Sequence, residues 1–337
     1  MTMRGEHVTT MQDVAARAGV SAKTVSRVFN DDPHVTDETR QRVTEAMQSL
    51  KYVPNMMART FRSGRASVVG IAVPDIGDPF FAAIIRSVDR ESRARGMSTA
   101  VTSLGDDAEL EKQTVEALLR LQVNGLIIAP ISGDQSYLAP WLTNMPAVFI
   151  DRPPTGITAD SFVEDDFGGA FLATRHLFEL GHRRIGFVGD IGDIVTTGQR
   201  LDGYLAAVDE LALGRHPDLI VRASTNDASR AVEALLGQNE PPTAIFSSNA
   251  RTSLEVFPAL QRLDRTDVAL VSFGDFPMAA ALQPSVSVID QDPDRLGRLA
   301  TERLFARLDT PAEQFTPATV IPVSLVERAS SKTPSAR

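Results

Sequence analysis

The side chains best suited to chemistry cluster near the start of the chain, in MQDVAARAGVSAKTVSRVFN. Ala22, Lys23, Ser26, Arg27 and Asn30 are short or hydrogen-bonding residues, spaced to stay off the apolar face of one helix. Lysine and arginine donate to phosphate oxygens and to guanine O6 and N7, so the set suits a nucleic-acid groove. The element presenting them is a helix whose Val25 and Val28 point inward. Before it runs a first helix with Val14, Ala15 and Ala18 on one narrow face. Gly19 breaks that first helix, and Ser21 is placed to cap the second. The pattern is a helix-turn-helix; taken alone, it leaves open an ordinary helical hairpin with a solvated polar face.

The continuation narrows the choice. Thr36 can cap a third helix in which Val43, Met47 and Leu50 recur at helical spacing and close a small core. Tyr52-Val53-Pro54-Asn55 and MMARTF follow, and Pro54 starts a fresh segment because it cannot continue a helix. From VTTMQDVAARAGVSAKTVSRVFN through VTDETRQRV to YVPNMMARTF, residues 8 to 61 resemble the headpiece and hinge of the lactose/galactose-repressor (LacI/GalR) family. The likeness runs on through nearly the whole chain.

That resemblance implies an N-terminal all-α helix-turn-helix headpiece on an α/β, two-lobed body with parallel sheets, like that of periplasmic sugar-binding proteins. It places the second helix in the major groove, with Ala22, Lys23 and Arg27 as sequence readers. Thr10, Thr24, Ser26 and Asn30 then hold the duplex, since phosphate contacts fix register rather than read sequence. His34, Thr36, Tyr52, Asn55, Ala58 and Phe61 complete the implied DNA-facing set. Phe61 stands where family members usually carry a leucine that wedges the central operator step. It is either an aromatic wedge of altered step preference or a packing residue.

Charge is unevenly distributed. Residues 1 to 65 hold ten Lys and Arg against seven Asp and Glu, a balance of +3. The rest holds 24 against 36, which leaves −12 within the overall −9. A basic head on an acidic body fits a DNA reader whose bulk is repelled by the duplex. With no cysteine there is neither a disulfide framework nor a thiolate metal site. The N-terminus, MTMRGEHVTT, lacks a signal-like apolar stretch, and no run approaches a membrane span. The expectation is a soluble, cytoplasmic protein with no membrane contact.

From Ser67 onward, short apolar runs alternate with helical stretches. Strand candidates are SVVGIAV, MSTAV, GLIIAP, AVFID, SFVED, RIGFVGD, DLIVRAS, TAIFSSN, VALVSFG and SVSVID, with TVIPVSLV as the last strand. The alternation indicates parallel βαβ units, in more strands than one open sheet suits. The expected organisation is a headpiece over 1–53, a hinge helix and linker over 54–66, a two-lobed effector-binding and dimerisation domain over 67–331, and a disordered tail over 332–337. Lobe 1 takes 67–163 and 292–320; lobe 2 takes 164–291 and 321–331.

Ligands in such sheets sit at the carboxyl ends of strands, between lobes. Candidate effector-binding residues are therefore Asp75, Phe80, Phe81, Asp151, Arg152, Arg200, Asn249, Asp275 and Gln291. Carboxylates, amides and arginines around an aromatic plate suit a hydroxyl-rich ligand. Each aspartate equally suits a strand end or turn, and Phe80 and Phe81 equally suit lobe core, the functional reading being that one stacks on ligand while the other packs. Arg200 stands in RLDGY, matching the family's R-x-x-G-Y segment, whose arginine reaches the effector. Three departures set the pocket apart from the family's disaccharide pattern. Gly274-Asp275 replaces a double aspartate, Asn249-Ala250 replaces an Asn-Asp pair, and Ala129 ends GLII. Arg152 beside Arg200 points to a sugar acid or sugar phosphate, unless Arg152 pairs with nearby carboxylates.

No phosphate loop, nucleophile elbow or H-E-x-x-H run is present, and His7, His34, His176, His182 and His216 are scattered. His182 sits where it would cap a helix or turn. The expectation is therefore no enzyme, no catalytic residue, no metal and no cofactor. The favoured function is a sequence-specific repressor, a homodimer on near-palindromic double-stranded operator DNA, controlled by a sugar or sugar-derived effector. A solute-binding receptor of the same body fold is the alternative. The C-terminal ASSKTPSAR carries no heptads, so a dimer without a tetramerising coiled coil is expected.

Overall fold

Thr10 opens the first helix by a reciprocal cap. Its hydroxyl accepts from Asp13 N, and the Asp13 carboxylate accepts from Thr10 N at 2.7 Å. Helix α1 (Met11–Ala18) ends at Gly19, whose φ of 63° is left-handed and suits a residue without a side chain. Arg42 donates to Ala18 O at 2.6 Å and locks that turn against the third helix. Helix α2 (Ala22–Phe29) starts under the Ser21 hydroxyl, which accepts from Thr24 N at 3.1 Å; α3 (Asp37–Ser49) starts under Thr36, which accepts from Thr39 N. Val14, Ala15, Ala18, Val25, Val28, Val43 and Ala46 form the buried centre, with Met47 and Leu50 partly buried around it.

The structure is a computed structural model that describes residues 10–29, 32, 34–50, 67–191, 194–224, 227–310 and 317–332. Asn30, Tyr52, Asn55, Ala58, Phe61 and the tail beyond Lys332 lie outside the described residues. The chain divides into two units, Met1–Ala66 and Ser67–Arg337, each treated by itself.

In the second unit, apolar runs become the strands of two sheets. In chain order the first lobe contributes β1 (Val68–Val73), α4 (Pro79–Ala94), β2 (Ser98–Ser103), α5 (Ala108–Leu119), β3 (Gly125–Ile128), α6 (Ala139–Leu142), β4 (Ala147–Ile150) and β5 (Asp160–Glu164). The second contributes α7 (Asp166–Glu179), β6 (Ile185–Asp190), α8 (Val195–Glu210), β7 (Ile220–Ala223), α9 (Ala228–Leu236), β8 (Ala244–Ser247), α10 (Ala250–Arg262), β9 (Ala269–Phe273) and β10 (Ser287–Asp290). Then come α11 (Pro293–Asp309), β11 (Ala318–Ile321) and β12 (Ser324–Val326). Among the described residues the sheet orders are β11-β5-β4-β3-β1-β2 and β12-β10-β9-β8-β6-β7. All pairings are parallel except β12 with β10. Helices cover both faces, so the central strands are apolar on both sides; β3, β4, β8 and β9 are buried throughout.

The chain crosses between lobes three times, after β5, after β10 and after β11. Two expectations need correcting. TVIPVSLV is not one strand, because Pro322 and Val323 break it. Its first half pairs parallel with β5 in the first sheet, and its second half pairs antiparallel with β10 in the second. Glu164 and Ile321, given to the second lobe, pair with each other in the first.

Candidate DNA-reading face and interlobe cleft

On α2 the Lys23 side chain is exposed, while Ala22, Thr24, Ser26 and Arg27 are half-buried. The threonines among the expected DNA contacts also have local work. Thr10 and Thr36 cap α1 and α3, and the Thr24 hydroxyl lies 2.9 Å from that of Ser21. Arg27 donates through Nε to Asp32 Oδ2 at 2.8 Å and through Nη2 to Oδ1 at 3.4 Å. Exposed His34 meets the same carboxylate through its backbone N–H at 2.9 Å and its ring Nδ1 at 3.0 Å. The Arg27 guanidinium and the His34 backbone and ring hold the Asp32 carboxyl well below the usual carboxylate range. Asp32 is a functional candidate that sequence reasoning missed; an acidic residue in a short loop carries no directional signal.

In the second unit, the carboxyl ends of both sheets enclose a cleft of about 710 Å³. Phe80, Phe81, Asp151, Arg152, Arg200, Asn249 and Gln291 line it together, as do Asp78, Asp106, Asp190 and Arg251, which lie outside the expected effector set. Asp190 ends β6, so consistent use of the strand-end rule would have found it. Phe80 and Phe81 meet edge to face at 5.1 Å, and both are buried.

Arg200 is fixed from three sides. Its Nε donates to Asp166 Oδ1 at 2.6 Å, its Nη1 donates to Ser248 O at 2.7 Å, and its guanidinium lies 3.9 Å over the Phe273 ring. The rest of RLDGY explains why α8 can hold it there. A Cβ at Gly203 would collide with the Phe167 carbonyl of α7, and Tyr204 anchors the helix by donating to Ile185 O at 2.7 Å. Burial pushes the Asp166 carboxyl up to about 6, against the pull of Arg200. Glu164, fully buried with neither carboxyl oxygen hydrogen-bonded, is raised well above the carboxylate range by burial, then by Asp151 and Asp166.

Arg152 also has a partner. Its Nε lies 2.8 Å from Asp151 Oδ2, near enough for an ion pair though not aligned for a hydrogen bond, and its Nη1 donates to Pro130 O at 3.0 Å. Asn249 caps α10 through Oδ1 and donates through Nδ2 to Asp190, whose carboxyl burial raises. Asp78 caps α4 by accepting from Phe80 N at 2.8 Å, and burial raises it too.

Two expected effector residues are not among those lining the cleft. Asp275 is bound by Arg328 through both carboxylate oxygens and accepts from Phe276 N, so its charge is used in the lobe. Asp75 closes the turn before α4 by accepting from Gly77 N, and it faces Arg251 of the other lobe at 3.9 Å. Where the double aspartate is lost, Gly274 has a φ of 85°, and a Cβ there would stand 2.7 Å from Gln291 Oε1. The buried Gln291 amide thus occupies the space such a side chain would need. His176 and His182 are structural, within 2.9 Å of the Ser331 and Thr243 hydroxyls respectively.

Residues 10–55 match the family described as bacterial regulatory proteins, lacI family, and residues 174–331 match the periplasmic binding protein-like domain. The chain is 30% identical over 314 residues to the ribose operon repressor of Haemophilus influenzae, covering 91% of this chain and 94% of that one. It belongs to the LacI family. A second relative, the HTH-type transcriptional repressor PurR of Aliivibrio salmonicida, is 29% identical over 306 residues, covering 89% of this chain and 92% of that one. Among solved structures, the lac repressor dimer bound to operator and the anti-inducer ONPF superposes with a TM-score of 0.81 at 26% identity, covering 96% of this chain and 99% of that one. As a LacI-family member, the chain joins a DNA-binding headpiece to a two-lobed effector-binding body.

Proposed function

We propose that this LacI-family protein is a cytoplasmic transcriptional repressor whose operator affinity is set by a small hydroxylated, uncharged effector in the interlobe cleft. The observation that carries it is the presence in one chain of a reading helix with Lys23 and Arg27 outward and a cleft lined from both lobes. The solute-receptor alternative leaves the headpiece without a role. A neutral ligand is favoured over a sugar acid because both arginines that suggested an anion are already balanced, Arg152 by Asp151 and Arg200 by Asp166. Free hydroxyls can both donate and accept, and so answer a wall of carboxylate and amide acceptors and guanidinium donors.

Two copies pair through their bodies and set two headpieces on half-sites about one helical turn apart. Supporting this, Val101 on edge strand β2, Leu110 on α5 and nearby Leu121 leave apolar side chains exposed. Effector binding shifts lobe orientation and with it the spacing of the headpieces. Coupling of that kind is typically about 1 to 3 kcal/mol and is reciprocal between DNA and ligand.

The test is selection of bound sequences from a random DNA pool, followed by filter binding and calorimetry with neutral sugars and sugar acids. A near-palindromic selected site whose affinity changes with a neutral sugar is the expected result. Tight binding by sugar acids alone would remove the neutral-ligand reading, and failure to select any site would remove the repressor reading.

A further inference from the structure

We infer that Asp32 is a positioning residue that makes Arg27 a reader of guanine, an inference that rests on the repressor reading above. Two atoms of the Asp32 carboxylate hold the Nε and Nη2 atoms of Arg27, at 2.8 and 3.4 Å. A guanidinium is planar, so a carboxylate docked on its Nε/Nη2 edge leaves the Nη1/Nη2 edge facing away. The Arg27 side chain is 43% exposed, so it remains accessible to a partner while Asp32 holds it. Guanine presents two acceptors, O6 and N7, in the major groove. Adenine puts an N6 donor where O6 would be, and two donors then confront each other. An arginine held edge-on therefore separates guanine from adenine. A freely rotating one is rotamer-rich and finds a phosphate as readily as a base.

The same carboxylate sets His34. Its contact with Nδ1 at 3.0 Å leaves Nε2 on the far side of an exposed ring. One acidic side chain in the loop after α2 thus orients two of the residues expected to meet DNA. Asp32 also ties the loop together, through its Oδ1 to the His34 N–H and otherwise through its main chain. Its N–H donates to Arg27 O at 3.1 Å, and its carbonyl accepts from Val35 N at 3.2 Å and Arg40 Nη2 at 3.1 Å. These main-chain ties survive replacement of the side chain. Asp32→Asn also keeps an oxygen for the His34 N–H while giving up the charge that holds Arg27.

The experiment is sequence selection from a random DNA pool with the full chain, as wild type and as Asp32→Ala, Asp32→Asn and Arg27→Ala. The base whose preference Arg27→Ala removes is the one Arg27 reads. Asp32→Ala is expected to lower the preference for guanine over adenine at that base by about tenfold. Base positions that neither Arg27 nor His34 meets should stay as in wild type, as should the helical content of the headpiece, and the guanine preference of Asp32→Asn should lie in between. Adding Asp32→Ala to Arg27→Ala is expected to change the preference at that base no further. Four results would overturn the inference. They are an undiminished guanine preference in Asp32→Ala, a loss spread evenly over all positions, tighter binding to every sequence, and an Arg27→Ala variant with wild-type base preferences. A wild-type chain that selects no site would instead overturn the repressor reading, and this inference with it.

Discussion

Burial pushes the Asp166 carboxyl up to about 6 even though Arg200 donates to it at 2.6 Å, so removal from water outweighs the ion pair. A carboxyl whose pKa is higher in the folded state contributes stability that is complete below its unfolded value. That contribution is lost as pH rises through the folded one. Between about pH 4 and about pH 7 the wild type should lose up to about 3 kcal/mol relative to Asp166→Asn. Urea unfolding across that range checks it, and a gap that does not vary with pH would contradict it. Gly274 makes a second test. Restoring the family's aspartate with Gly274→Asp sets a side chain at a φ of 85° and within 2.7 Å of Gln291 Oε1. The expected cost is about 1 to 2 kcal/mol in thermal unfolding. Weaker effector binding by calorimetry should accompany it as Gln291 is displaced.

Among the elements, α8 shows a motif doing three jobs at once. In RLDGY the arginine enters the cleft floor, the glycine lets the helix approach α7, and the tyrosine pins it to β6. The hinge segment over 54–66, Phe61 included, lies outside the described residues. If Phe61 is the wedge between base steps, Phe61→Ala should flatten the bound operator and weaken specific binding. The unstacking and bending contacts together involve a few kcal/mol, so a drop of roughly tenfold or more is expected. Circular-permutation gel shifts measure both quantities, and an unchanged bend angle with unchanged affinity would leave Phe61 as a packing residue.

At the scale of the whole body, closure is bridged by charge. Asp75 of the first lobe faces Arg251 of the second at 3.9 Å, and Arg251 also pulls down the raised carboxyls of Asp78 across the cleft and of Asp190 in its own lobe. Both partners are partly exposed, at 34% and 47%, so solvent screens the pair and its worth is at most about 1 kcal/mol. Arg251→Ala should therefore weaken effector binding by no more than roughly fivefold at low salt. The difference from wild type should shrink in high salt as screening grows. Calorimetry at two ionic strengths checks this, and a salt-independent loss would assign Arg251 a direct ligand contact instead.

The sequence by itself determined the elements, because caps, turns and apolar periodicity act over a few residues. Thr10 and Thr36, Gly19, and the runs from SVVGIAV to SVSVID all form what their local chemistry dictates. It also determined which strand ends meet, since parallel sheets put their carboxyl ends on one side, and seven of the nine selected effector residues line one cleft. What only the tertiary structure decided is which charges remain available to a ligand. Asp275 is consumed by Arg328, 53 positions along, Arg200 by Asp166, 34 positions away, and Arg152 by the adjacent Asp151. Pairing depends on distance and direction in space, which spacing along the chain does not encode. For the same reason TVIPVSLV read as one strand, although its halves complete two different sheets.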